Sequence, residues 1–269
     1  MLITKANGEK VQFVRSKYEE SLKRVGLSIS EAREISNQIN QDLYPEVSSN
    51  KIFLKTHQVL KKRNKIYAAK YSLKRAIMDL GPGGYFFERY MSAVLSAYGY
   101  QTKYNQFIRG KCVEHEVDIL AERDGKRFMI ECKYHNQSGR KSDLKVAMYT
   151  YARFLDLKEK HAFDEAVLIT NTTFTSEAIK YGRCMGIKIM GWRYPQTRES
   201  LEYYIESKKL YPVTVLTTMN NFLNRRFREE GLVLIQDLIK FTPQSLANKF
   251  YMKEGLANRL IQEAESLID

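Results

Sequence analysis

Asp118, Glu131 and Lys133 lie in one stretch, EHEVDILAERDGKRFMIECKY (114–134), with twelve residues between the two acids and a single residue between Glu131 and Lys133. Two carboxylates and an ammonium of this kind can hold a divalent cation and set a water against a phosphodiester. The stretch reads as a β-hairpin. Two apolar-rich runs flank Asp124-Gly125, a dipeptide favoured in tight hairpin turns because glycine tolerates positive φ. A strand has period two, so Glu131 and Lys133 are expected on one face and the Cys132 side chain on the other. The Cys132 carbonyl is then a further candidate metal ligand. Lys133 beside the water would stabilise incipient hydroxide and transition-state charge, and if buried could act as a base.

The surrounding elements must position these groups. Glu88 lies one turn into an expected helix (85–98), GYFFERYMSAVL, at the edge of an apolar stripe of Phe87, Met91, Val94 and Leu95. From there it could reach a metal held by the hairpin. A strand near 102–109 precedes the hairpin, and a helix (143–158), a strand (166–170), a helix (175–185) and a strand (187–191) follow. This alternation predicts an α/β sandwich around a mixed sheet. Gly81-Pro82-Gly83-Gly84 is the densest breaker cluster and the expected boundary with an upstream unit, residues 1–80. That unit reads as a strand pair around Asn7-Gly8 and helices near 15–26, 30–42, 49–63 and 65–79, with Ser30 and Ser49 as N-caps and Gly26 as a stop. Past a connecting helix (200–209), residues 213–269 read as short helices punctuated by Gly231, Thr242-Pro243 and Gly255. Helical pairs of this sort either bind duplex backbone or serve as packing and oligomerising modules.

The net charge of +13 favours a polyanionic partner, and the hairpin chemistry makes that partner nucleic acid. No apolar run reaches membrane-spanning length, and the N-terminus lacks the apolar core of a signal peptide. Three scattered cysteines suggest neither a zinc site nor a disulfide framework, so the cytoplasm is the expected compartment. His115 is expected beside the site or on a phosphate, and Tyr134, Arg140 and Lys141 in a polar loop are expected to contact DNA.

Asp118 and Glu131-Cys132-Lys133, with Phe87-Glu88 before them and Leu168-Ile169-Thr170-Asn171 after them, resemble the PD-(D/E)xK nuclease superfamily, and within it the Mrr-type restriction endonucleases. The resemblance covers 85–195 and implies Mg²⁺ or Mn²⁺ held by Glu88, Asp118, Glu131 and the Cys132 carbonyl, with Lys133 completing the catalytic set. No glutamine-bearing motif is found on the helix after Lys133. Ile3-Thr4-Lys5, Gly8, Val11-Gln12-Phe13 and Lys17-Tyr18 resemble the opening of the ATP-cone domain of ribonucleotide reductases and their repressors. That resemblance implies ATP or dATP as an effector, with Ile3, Lys5, Gly8, Lys17 and Ser49 around it.

The expected molecule is α/β: a restriction-endonuclease-like mixed-sheet core, preceded by a mostly helical ATP-cone-like domain and followed by a small all-α segment (200–269). The expected function is metal-dependent DNA cleavage, of restriction or defence type, by a homo-oligomer without membrane association. The alternatives are a catalytically silent DNA-binding fold and a nucleotide-gated oligomerising regulator.

Overall fold

The computed structural model describes residues 1–6 and 8–268. Strands β1 (Leu2–Thr4) and β2 (Lys10–Gln12) pair antiparallel, with Ile3 opposite Val11. Gly8 turns with φ of 83°, a conformation that costs glycine little, while Asn7 lies outside the described residues. Helices α1 (Arg15–Lys23), α2 (Ile29–Gln41), α3 (Ser49–Arg63) and α4 (Lys65–Met78) follow in the expected order. Two caps fall one or two residues earlier than expected. Ser28, not Ser30, forms a capping box with Glu31, and Ser48, not Ser49, accepts the Lys51 amide at 3.2 Å. The capping residue must keep extended backbone just ahead of the first helical residue, and these two serines do.

Helix α4 faces two ways. Ala68 packs with Leu22, Ile35 and Leu60 in the N-terminal core. Ala69, Leu73, Ala76 and Ile77 instead join Phe87, Tyr90 and Val213 in the main core. Its C-terminal carbonyls, which a helix leaves without backbone partners, are taken by distant side chains. The Thr214 hydroxyl donates to the Ala76 carbonyl at 2.7 Å, and the Tyr134 hydroxyl donates to that of Met78. Asn224 Nδ2 donates to Asp79 O at 3.2 Å and Arg228 Nη1 to Leu80 O at 3.1 Å.

The main sheet has five strands in the order β3 (Gln101–Arg109), β4 (Glu114–Arg123), β5 (Lys126–Lys133), β7 (Glu165–Thr170), β9 (Lys188–Met190). The first three pair antiparallel, and β5–β7 and β7–β9 are parallel. Asp124 and Gly125 both have positive φ, 53° and 74°, as the tight hairpin between β4 and β5 requires. Helix α5 (Gly84–Ala97) covers one face, where Phe87, Met91 and Val94 meet Ile119, Ile130 and Cys132. Helices α6 (Leu144–His161) and α7 (Ser176–Met185) cover the other, where Ala147, Phe154 and Ala178 meet Met129 and Leu168. Two short strands, β6 (Lys141–Ser142) and β8 (Thr173–Phe174), pair beside the sheet.

Helices α8 (Leu201–Ser207), α9 (Asn221–Glu229), α10 (Ile235–Leu238), α11 (Pro243–Phe250) and α12 (Glu254–Ile268) complete the chain and bury Phe227, Phe250 and Leu260 in the main core. Thr242-Pro243, expected as a break between helices, opens α11, with Thr242 as its cap. Gly255, expected between helices, instead lies inside the first turn of α12.

Candidate active site

The sheet opens at Asp118. Its ladder with β3 skips one pair between Tyr104–Ile119 and Gln106–Val117, where Asn105 takes a left-handed φ of 51°. The ladder with β5 stops at Ile119–Ile130. Asp118 therefore sits in neither ladder, and its carboxylate bridges the gap by accepting the Cys132 amide at 2.7 Å. Beyond that point β5 pairs with β7 alone, Glu131 beside Leu168 and Lys133 beside Thr170. The Thr170 hydroxyl donates to the Lys133 carbonyl at 2.7 Å. Buried Asn171 extends this pairing with its side chain, accepting the His135 amide and donating to the His135 carbonyl, both at 2.8 Å.

The period-two expectation for β5 holds. Cys132 is buried on the α5 face, where burial pushes its thiol well above the usual range. Glu131 lies on the opposite face and Lys133 is exposed. Lys133 is therefore not the buried lysine that a role as base would call for; it stands exposed at the strand's end.

The charges of Glu88, Asp118 and Glu131 act on one another. Burial, then the charge of Asp118, pushes Glu131 up to about 7, although Arg153 and Lys133 oppose the rise. Glu88 is also pushed up to about 7, first by burial and then by Asp118, Glu116 and Glu131. Burial raises Asp118 too, partly offset by the Cys132 amide and Arg153. Gly84 leaves room for Glu88 to fold back, since a Cβ there would stand 3.2 Å from Glu88 Oε1.

Three hard-oxygen donors that repel one another are a suitable set for Mg²⁺ or Mn²⁺, which would relieve the repulsion. Among the described residues, no group of three His, Cys, Asp or Glu side chains is already arranged to hold a metal. The Arg153 guanidinium pairs with Glu131 Oε2 and also donates to the Tyr149 hydroxyl at 3.1 Å.

Arg153, Tyr149 and Glu116 were not singled out from sequence. Arg153 and Tyr149 are four residues apart on α6, beside the buried positions Thr150 and Phe154. A cation bordering the apolar stripe of the helix after the lysine strand was the available signal, and it stands where no glutamine motif was found.

Other expected site residues are placed elsewhere. His115 Nε2 is 2.8 Å from Asp156 Oδ2, and Asp156 also accepts the Cys112 amide at 2.8 Å. The Cys112 side chain, then His115 and the Cys112 and Val113 amides, hold Asp156 below the usual carboxylate range, and these bonds brace the β3–β4 connection. Tyr134 donates its hydroxyl to the Met78 carbonyl and lies tilted against Phe87, with ring centroids 5.7 Å apart, which fastens the end of α4. Arg140 is exposed and donates to Gln137 at 3.1 Å, and exposed Lys141 begins β6.

In the N-terminal unit, Thr4 bridges to Ser48, which sets β1 beside the start of α3 and brings Lys5 and Ser49 onto adjoining segments. Lys5 pairs with Glu9 at 2.9 Å, Ile3 packs on the small core, and Lys17 is exposed on α1.

A restriction endonuclease family model matches residues 82–191, and an AF1548-like C-terminal model matches residues 211–268. An uncharacterized protein of Archaeoglobus fulgidus is 44% identical over 178 residues, which cover 66% of this chain and 99% of that protein. The chain belongs to the AF1548-like family. The crystal structure of AF1548, a protein of unknown function, matches with a TM-score of 0.61 at 41% identity over 69% of this chain and 98% of that one. Its restriction-endonuclease-like core is the five-stranded sheet with α5, α6 and α7, and the AF1548-like segment comprises the C-terminal helices. Among the described residues no helix is long and apolar enough to cross a membrane.

Proposed function

We propose that the protein is a metal-dependent DNA endonuclease. The observation that carries the reading is the Asp118 carboxylate bonded to the Cys132 amide, between Glu131 and Lys133 at the opened end of the β4–β5 hairpin, with Glu88 near enough to feel the charges of Asp118 and Glu131. It occurs inside the segment matched by the restriction endonuclease model. In this reading Glu88, Asp118, Glu131 and the Cys132 carbonyl hold Mg²⁺ or Mn²⁺. Bound there, the ion would lower the pKa of a water and offset charge on the scissile phosphate. Lys133 orients that water and stabilises the charge that develops. Asp118 keeps β5 in register through the Cys132 amide, and Arg153 holds Glu131 until the cation competes for it. Arg140 and Lys141, exposed after the catalytic strand, meet the DNA backbone.

Plasmid nicking in Mg²⁺ tests this. Asp118→Ala and Lys133→Ala should each reduce the rate by about 10²–10³-fold. Equal cleavage by wild type and both variants would reject the assignment. One site cuts one strand, so duplex cleavage calls for a homo-oligomer, detectable by light scattering.

The second reading is a catalytically silent DNA-binding fold, favoured by the Arg153–Glu131 pair. DNA binding without nicking in any divalent metal would support it. For regulation, the N-terminal unit is proposed to bind ATP or dATP through Ile3, Lys5, Gly8, Lys17 and Ser49. The support is the hairpin-then-helices order and the approach of β1 to α3. Calorimetry with ATP and dATP tests it, and no heat with either would end the idea.

A further inference from the structure

At the seam where α4 ends, a cavity of about 520 Å³ opens between the loop after β5 and the C-terminal helices. This lies within the usual range of small-ligand pockets, about 300–1,000 Å³. Four of the chain's 13 asparagines line it: Asn136, Asn220, Asn221 and Asn224. Among the described residues, Asn136 and Asn221 are exposed and their carboxamides make no hydrogen bond to other side chains or backbone. Asn220 uses its oxygen to cap α9 through the Leu223 amide at 2.9 Å, which leaves its NH₂ group for a ligand. Asn224 forms the buried floor.

The cavity shares segments with both halves of the candidate active site. Asn136 follows Lys133 by three residues, a span of at most about 10 Å of chain. On another wall, Gly81 begins the turn that leads into α5 and Glu88. The loop carrying Asn220 is held from behind. Buried Glu263 accepts the Thr217 amide at 2.5 Å and the Thr218 hydroxyl at 2.6 Å.

The lining chemistry selects its occupant. Carboxamides present a donor and an acceptor in one plane, matching the edge of a nucleobase. Asp79 repels phosphate but can accept from an exocyclic amino group. Among the described residues the one lining cation, Arg228, donates to the Leu80 carbonyl at 3.1 Å and lies over the Phe86 ring at 4.9 Å. Met78 and Met219 supply apolar walls for a base's faces.

We propose that this cavity receives an unpaired nucleobase adjoining the scissile phosphate, so that the substrate is DNA with a single-stranded or branched element. The proposal rests on the DNA-cleaving reading above. Selection of such DNA follows because a base held in a duplex has its Watson–Crick edge paired and its faces stacked, so it cannot enter the cavity unless it is extruded, which costs unstacking energy.

The test uses the full chain in EDTA, titrated against flapped, single-stranded and fully paired oligonucleotides carrying 2-aminopurine at successive positions. Flapped DNA should bind more tightly than paired DNA, with a several-fold fluorescence change at one unpaired position beside the junction. Asn136→Ala and Asn221→Ala should each weaken flap binding about 10-fold and remove the signal. Melting temperatures equal to wild type verify folding. No fluorescence change at any position, or an undiminished change in both variants, overturns the proposal. Plasmid nicking measured in parallel separates the two readings. Nicking without base insertion leaves the nuclease and removes the cavity's role, whereas insertion without nicking in any metal keeps the cavity and removes the nuclease. Absence of DNA binding overturns both.

Discussion

Glu88→Gln should stabilise the protein, increasingly as pH rises from 4.5 to about 7 and fully above that. Burial first, and then the charges of Asp118, Glu116 and Glu131, push Glu88 from 4.5 to about 7. The folded state therefore holds this proton more tightly than the unfolded chain. Stability is unaffected by this group at low pH, falls as pH rises from 4.5 towards 7, and stays reduced above that. Such a rise corresponds to at most about 3 kcal/mol. Solvent reaches part of the side chain, and screening reduces the penalty to about 1–2 kcal/mol. For a chain of this size that is about 3–6 °C in Tm. Differential scanning calorimetry at pH 8 should thus show Glu88→Gln melting above wild type, with little difference at pH 5. Mg²⁺ should raise the wild-type Tm at pH 8, where the acids are ionised, and have little effect at pH 5. The gain from Mg²⁺ should be smaller in Glu88→Gln. A variant that melts lower at pH 8, or that shifts equally at both pH values, would refute the account of Glu88 as a repelled metal ligand.

Arg153→Ala removes the cation that holds Glu131 down. The acidic limb of the pH–rate profile for nicking should move to higher pH, and an unmoved limb would show that Glu131 does not report on cleavage. Metal affinity, followed by Mn²⁺ titration, should fall steeply below pH 7 as Glu88 and Glu131 take up protons. Tyr134→Phe deletes the bond to the Met78 carbonyl and should cost about 1 kcal/mol in denaturant melts with DNA affinity unchanged. Weaker DNA binding at equal stability would restore Tyr134 to the substrate surface. Ile77→Ala, fully buried where α4 meets the main core, should cost about 2–5 kcal/mol by chemical denaturation. A cost near zero would mean that α4 is not part of that core.

Much of the sheet was legible because its signals are local. Asp124-Gly125 set the hairpin turn, and alternation along 126–133 put Cys132 on the buried face and Glu131 on the other. Helix positions in the N-terminal unit were legible from periodicity, but Ser28 and Ser48 were missed as caps because several serines compete within two residues. The bonds of His115 and Tyr134 were hidden for a different reason. Their partners, Asp156 and Met78, lie 41 and 56 residues away, and nothing near them in sequence announces those bonds. Arg153 was hidden in the same way, 22 residues from Glu131.

The order of residue types along the chain sufficed to offer candidates for chemistry: strand period and turn chemistry set Glu131 and Lys133 on one face of a hairpin with Asp118, and the family resemblance drew in Glu88, all from signals along the sequence. Tertiary structure alone decided their state. Burial and mutual repulsion carry two of the acids to about 7, Arg153 arrives from another helix to hold one of them, and Lys133 is left in solvent. The asparagine-lined cavity is likewise invisible in sequence, because Asp79, Asn136 and Asn221 meet only when three distant segments pack around the end of α4. Desolvation and Coulomb energies depend on distance in space, and sequence separation does not report that distance.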